Sequence, residues 1–533
     1  MKKRNFAALT LACFALGLTA CGAGAPAAVE NVNESEAATP APTNGAPETP
    51  ITGGELVWAL ASAPPTLDLH RATDTTSRNV ARTMAELLLY FGENNELMPL
   101  LAESYRNIDE LTWEFNIRQG VVFHNGEAFN AHVVKLNLDR FLDPENAFPR
   151  ADFLNMITEV EVIDDYTIHI HLEFPFAPLP AQITNYAAVM YAPAAIAEEE
   201  AGGRTVSENP IGTGPFKLDS QVHGDHIRVV RFDDHWRGPA NLDSILFRVI
   251  PEPATRMAMV ETGEAHGFEA MLSDVPRIET MAGLDLYSVV STVLNYVGFN
   301  VDKPPMDDVR VRQAITMAVD FDDILYGIAE GQGVRAVGPI APFLPHSPAD
   351  NLNPLPYDPV RARELLIEAG FEDGFEIEIW YNDGNSVRQR ISELIQANLA
   401  DIGITVSITN MEWGAYLDAT SAGEHDMFVL GWTGATGDPD IQVQPLFHTV
   451  NIGPGGNRMW YDNPRVDYLI DAGRQEADPA RRTEIYEELV EILIYDAPMM
   501  FLFHPFQPFA TNGIDGINFD FGGTPDFFRA SFR

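Results

Sequence analysis

The chain has 533 residues, 46% of them hydrophobic and 21% charged, and carries a formal net charge of −43. Its length exceeds what one hydrophobic core supports, so two or three domains are expected, and the composition is that of a globular protein. So acidic a surface argues against nucleic acid and anionic lipid as partners, because both would be repelled.

The N-terminus reads MKKRNFAALTLACFALGLTAC, with a basic head of Lys2, Lys3 and Arg4, an apolar run over residues 6–18 and a small residue, Ala20, before Cys21. This is the order of a secretory signal, and the run is too short for a comfortable membrane span. Its end resembles a bacterial lipobox, so residues 1–20 are expected to be a lipoprotein signal peptide and Cys21 the lipidated first residue of the mature chain. An ordinary signal with an incidental cysteine is the alternative. Cleavage removes Lys2, Lys3 and Arg4 and takes the formal charge from −43 to −46. The two cysteines, Cys13 and Cys21, both lie in this region, so no disulfide or thiolate metal site is available further on. Residues 21–52 are rich in Ala, Pro, Thr and Glu and lack Lys, Arg and aromatics, which predicts a disordered tether.

Folding is expected to start at Gly53, with a strand over residues 54–60. Asp74, Thr75 and Ser77 offer N-caps for a helix running to Leu89. Residues 101–129 read as two alternating strands closed by His124-Asn125-Gly126, because an Asn-Gly pair tolerates positive φ, and His124 is a turn residue there. In YTIHIHLE, residues 166–173, Ile168, Ile170 and Leu172 share one face and His169 and His171 the other. Two histidines so spaced would pinch a metal, but the local sequence offers no third nitrogen or sulfur ligand, and a solvated sheet face is the reading. The glycines of NPIGTGPFKL lack a following Lys-Ser or Lys-Thr, which excludes a phosphate loop and predicts a tight crossing between domains.

From residue 289 a strand carries polar groups near its end, among them Asn295 and Tyr296. Helices opened by Asp307 and Asp308 and by Asp358-Pro359, a strand at FEIEIWY, a helix over 393–400 and a strand over 404–408 follow. Such alternation predicts an α/β lobe with a mainly parallel sheet over about 300–500. In FVLGWTGATGDPDIQVQPLFH, residues 428–448, a buried strand breaks into a Gly-rich loop bearing Trp432, Thr433, Thr436, Asp438 and Asp440. Polar groups on a loop at the end of a rigid strand suit a small-ligand site, with Trp432 for stacking and the two acids as acceptors for ammonium or amide hydrogens. The same residues also read as a surface turn in which Asp438 caps a helix behind Pro439. Residues 498–509, apolar and aromatic, are expected to cross back to the first lobe.

The lipobox, PPTLDLH, the LAESY to GEAF block, NPIGTGPFKL, DDVRVRQAITMAVD, YDPVRARELLIEAGF and GWTGATGDPD are together similar to the family 5 solute-binding proteins, the peptide- and nickel-class receptors of ABC importers. The resemblance covers nearly all of residues 54–533. It implies an α/β, type II, cluster C periplasmic-binding-protein fold of two lobes joined by two crossing strands, with an inserted domain. Lobe I would comprise 53–86, 205–298 and 501–533, the inserted domain 87–204, and lobe II 299–500. Dipeptide- and oligopeptide-binding members carry an aspartate three residues after the loop tryptophan, where this chain has Ala435. The pattern from Trp432 to Asp440 instead resembles the glutathione-binding branch, in which the later acids would take the cation. A short peptide or glutathione-like peptide is the implied ligand, with a nickel chelate or another small solute as alternatives. Contacts are expected from Trp432, Thr433, Thr436, Asp438 and Asp440 and, across the cleft, from Asn295, Tyr296, Asp74 and Thr75. The implied protein is a lipid-anchored, extracytoplasmic monomer that needs no cofactor and serves a permease with its cytoplasmic ATPases. A secreted hydrolase is the competing class, yet Gly-x-Ser-x-Gly, His-Glu-x-x-His and a reactive cysteine are all missing, which leaves only a dispersed carboxylate pair. A sensor or metal carrier is a third class, and the 13 scattered histidines predict no tight metal site.

Overall fold

The computed structural model describes residues 52–92, 96–434 and 436–533. The signal, Cys21, residues 22–51 and Ala435 lie outside them. A sheet of twelve strands runs through these residues, and its middle is the 14-residue strand Met499–Asn512. The first half of that strand pairs antiparallel with Leu294–Phe299 and Gly333–Arg335. Its second half pairs antiparallel with Gly267–Glu269 and Leu284–Val290. The change of partners falls at Pro505 and Phe506, and prolines at 505 and 508 remove two ladder donors there. A second passage, residues 291–293, links Leu284–Val290 to Leu294–Phe299. The expected crossing by the apolar C-terminal run and the two-strand connection are thus both present.

On one side of the crossing, Glu55–Leu60 lies between Ser244–Val249 and Gly267–Glu269, parallel to both. A separate antiparallel sheet of Ala102–Asp109, Thr112–Ile117, Thr167–Leu172 and Ile157–Asp164, in that order, presents Phe115, Ile168 and Ile170 to the helix Ala131–Leu142. Its inner residues and those around Trp58 and Phe247 belong to one continuous core.

On the other side, the strands Leu294–Phe299 and Met427–Trp432 are covered on both faces. Val297, Phe299, Met427 and Val429 pack against Val309–Ala318, Pro359–Glu368 and Ser386–Asp401. Leu294, Tyr296, Phe428 and Leu430 pack against Asp440–Phe447, Pro464–Gln475 and Pro479–Asp496. Burial of both faces is why the run Phe428-Val429-Leu430 is continuously apolar rather than alternating.

Three local expectations are revised. The helix after Asp74 spans Thr75–Ala81 and stops short of Leu89. The carbonyls of Thr83 and Met84 accept instead from Phe216 N–H and Gly214 N–H of the Gly-rich segment. A Cβ on Gly212 would lie 2.1 Å from the Met84 carbonyl oxygen, so this contact requires the glycine. The hairpin of Ala102–Asp109 and Thr112–Ile117 turns at Glu110-Leu111, where the Asp109 side chain accepts from Leu111 N–H at 2.9 Å. Asn125-Gly126 closes a smaller loop bridged by Val122 and Ala128. Finally, the 300–500 sheet is mixed. Phe375–Asn382 is parallel to Ile404–Met411 and Met427–Trp432, whereas Leu294–Phe299 is antiparallel to its neighbours. That strand arrives directly from the other lobe, with no helical crossover to impose a parallel run.

Candidate functional site: a cavity at the lobe crossing

A cavity of about 760 Å³ opens where the chain crosses between its halves. Its floor includes both crossing segments, 291–293 and 505–507. One wall comes from residues 73–92 with Arg150 and Tyr186, another from 518–529, and the far half contributes Thr433 and Gly434. The volume is in the range that encloses a small organic ligand.

Aromatic rings and arginines dominate the wall. Arg150 reaches over the Tyr186 ring at 4.9 Å, donates to the Thr73 carbonyl at 3.1 Å and leaves its buried Nε without a partner among the described residues. Arg78 lies 5.8 Å from the centre of the same ring and donates to the Gly522 carbonyl at 2.5 Å. Arg82 donates to the Ala85 carbonyl at 3.1 Å, and burial pulls its pKa below the usual arginine value. Among the described residues none of these three guanidinium groups forms an ion pair within 4 Å, although Asp520, Glu86 and Asp526 lie close enough to act on Arg82 electrostatically. The buried acid beneath them, Glu86, is already engaged. Thr213, Trp236, His235 and Arg237 donate to it at 2.9, 3.0, 3.2 and 3.4 Å. Burial alone would raise its pKa, and those donors, His235 first, hold it below the ordinary value. The lining thus sets Arg78, Arg82, Arg150, Arg237 and Arg529 against Asp74, Glu86, Asp520 and Asp526, a mixed set with one more cation than anions, which suits a solute that carries both charges.

A family model for bacterial extracellular solute-binding proteins, family 5 middle, matches residues 96–454. The chain belongs to this family. Glutathione-binding protein GsiB of Pectobacterium atrosepticum is 33% identical over 457 residues, covering 84% of this chain and 88% of that one. Among solved structures, HbpA2 from Haemophilus parasuis is 28% identical with a TM-score of 0.85, covering 90% of this chain and all, 100%, of that one. The periplasmic binding protein DppA from Helicobacter pylori, solved in complex with the peptide STSA, is 28% identical with a TM-score of 0.71 over 90% of this chain and 98% of that one. The fold is thus the two-lobe, type II periplasmic-binding-protein fold, and the family serves importers outside the cytoplasm. Among the described residues no helix is long and apolar enough to cross a membrane.

Of the residues expected at a family 5 ligand site, Asp74, Thr75 and Thr433 line the cavity. Asp74 also caps its helix, with Oδ1 accepting from Ser77 N–H at 2.8 Å. The rest are not among the residues that line this cavity. Asp438 and Asp440 are each 4% exposed. Arg482 clasps Asp438 through two bonds of 2.6 and 2.7 Å, and Arg474 stands 3.2 Å from Asp440. Asp438 is therefore neutralised from within its own lobe, whereas Asp440 has an arginine close by with no hydrogen bond to it. The Trp432 indole N–H donates to the Ile441 carbonyl at 2.8 Å and is not free for a ligand. Thr436 is fully buried, and Tyr296 is core, its ring 5.8 Å from that of Phe428. Asn295 is half-buried in the ladder opposite Gly431, outside the cavity wall. The surface-turn reading is revised: Asp438 is buried and Pro439 is the N-cap of the helix Asp440–Phe447, although Asp438 Oδ1 accepts from Asp440 N–H at 2.9 Å. Arg78 and Arg150 were missed because nothing local to either distinguishes it from a surface arginine; an arginine directly after a capped helix start was the one available signal for Arg78.

Proposed function

We propose that this protein captures a short peptide with two carboxylates, glutathione being the reference ligand, and presents it to the permease of an ABC importer. The unpaired arginines at the cavity carry this reading. Glutathione is a tripeptide with two carboxylates and one ammonium at neutral pH, so it brings the negative charge that Arg78, Arg82 and Arg150 lack. Asp74, with Thr75 and Thr433 beside it, is suited to the ammonium, which an apolar pocket would strand at a cost of several kcal/mol. The glutathione-binding relative supports the same class. Closure of the lobes would bury the guest and create the form a permease recognises.

The remaining assignments follow the same reading. The lobes comprise 53–86, 205–298 and 501–533 on one side and 299–500 on the other, with 87–204 inserted; the crossings at 291–293 and 505–507 support a hinge there. The protein is a monomer without a cofactor or catalysis of its own, and Cys21 is its lipid anchor in the sense of tethered rather than spanning.

Calorimetric titration of the purified chain tests this. Glutathione should bind with one-to-one stoichiometry and be recovered intact, its diethyl ester at least about tenfold more weakly, and Arg150→Ala or Arg78→Ala should each weaken glutathione by about tenfold or more. Equal affinity for ester and acid, or binding of a nickel chelate in place of glutathione, would overturn the assignment. Loss of fatty-acid labelling in Cys21→Ser is the expected result for the anchor, and unchanged labelling refutes it.

A further inference from the structure

His169 and His171 alternate outward from the small antiparallel sheet, away from the core formed by Ile168 and Ile170. The fold supplies the third ligand that the local sequence lacks. On the neighbouring edge strand, Glu161 lies directly across from His169. One Glu161 oxygen is 3.1 Å from His171 Nε2 and 4.0 Å from His169 Nδ1. One donor atom from each of the three residues falls within 4.8 Å of the others. In a tetrahedral site with bonds of about 2.1 Å, ligand atoms stand about 3.4 Å apart, so the observed separations need only small side-chain rotations to close.

The partners on the other flank sharpen the point. Glu114, across from His169 on the strand Thr112–Ile117, accepts from His169 Nε2 at 3.3 Å. Arg106 on the next strand holds Glu114 at 2.7 Å and lowers its pKa, so it is an ionised acceptor. That bond places the proton on Nε2 and leaves Nδ1 as the lone pair facing Glu161. Thr112 Oγ1 lies 3.3 Å from His171 Nδ1. In the metal-free chain His171 Nε2–H donates to Glu161, and an ion would displace that proton while the Thr112 hydroxyl, able to donate or accept, stays on Nδ1. Each imidazole thus has its outer nitrogen anchored by a second side chain, the support that metal-binding histidines use.

We propose that His169 Nδ1, His171 Nε2 and the Glu161 carboxylate bind a divalent late transition-metal ion, Zn²⁺ in the first instance. Two imidazoles, one carboxylate and an open fourth position suit zinc, nickel or copper(II) and not magnesium or calcium. The site is separate from the cavity, whose wall includes none of these residues. By joining the edge strand to its neighbour, the ion would brace this sheet.

The test is titration of ZnCl₂ into the untagged, EDTA-treated full-length chain. One saturating equivalent is expected, weakened at least about tenfold by His169→Ala or His171→Ala and about tenfold by Glu114→Gln, which removes an anchor and no ligand. Cu²⁺ loaded at one equivalent should give an electron paramagnetic resonance spectrum with two coupled nitrogens. Thermal melts without zinc check that the variants fold, and zinc should raise the melting temperature of the native chain more than that of the double histidine variant. Absence of saturable binding, or equal affinity and stoichiometry in the folded double variant, would overturn the proposal.

Discussion

Asp440 is a buried carboxylate whose arginine is near but poorly aimed. Arg474 Nε is 3.2 Å away, yet both that nitrogen and Asp440 Oδ1 lack a hydrogen-bond partner among the described residues. Burial pushes the Asp440 carboxyl up to about 6 from an ordinary value of 3.8, with Arg474 opposing. Between those two values the folded state holds a proton that the unfolded state has released. Stability therefore falls as pH rises through this window, by on the order of 3 kcal/mol when complete. Asp440→Asn is expected to have a higher urea midpoint than the native chain at pH 7, and this advantage should vanish near pH 4. A constant difference at both pH values would refute the assignment. Asp438 shows why the loop misleads a reader of sequence. Its Asp-Pro-Asp spacing marks the two acids as unusual, but the arginine that neutralises Asp438 lies 44 residues away on another helix. No spacing rule links the two, so the Asp438 charge, which looks free in the sequence, is already paired inside the fold. The converse holds for Arg78 and Arg150, which look like surface charges until tertiary structure brings them to one tyrosine.

At the scale of elements, the central strand Leu294–Phe299 depends on Gly298, which faces Phe428 across the ladder. A Cβ there would sit 2.3 Å from the Phe428 ring. Gly298→Ala should therefore cost about 1–3 kcal/mol, measured by urea unfolding, because the ring has core on its other side and cannot withdraw. Strands and helices with clear periodicity were legible: Glu55–Leu60, Val309–Ala318, Pro359–Glu368 and Ile404–Met411 all begin within a residue or two of where capping and alternation put them. What sequence could not supply was the identity of neighbours. The helix at Thr75 ends early because a glycine segment some 130 residues on takes its carbonyls, and the sheet is mixed because one strand arrives from elsewhere. The outward histidines were placed on the correct face, while Glu161 beside them depended on strand order.

For the molecule as a whole, the two-lobe plan was legible only through the order of several motifs, since composition alone gave no more than a count of domains. The cavity, by contrast, is assembled from segments as far apart as Thr73 and Arg529, and no window of sequence contains it. The strand Met499–Asn512 adds a constraint in time. It fills the middle of the sheet, and it is supplied by the last thirty-five residues of the chain. A polypeptide threaded outward from its N-terminus would expose Leu294–Phe299 and Gly267–Glu269 as bare edges until that final stretch emerged, and bare edges invite pairing with other chains. Neither lobe is then expected to fold without that strand. A chain ending at residue 498 is expected to sediment as aggregate, and recovery of a soluble monomer with native circular dichroism would show the lobes to be independent. While residues 499–512 remain undocked both halves of the sheet stay open, so the rate at which that strand inserts, as much as thermodynamic stability, would govern how much folded protein accumulates.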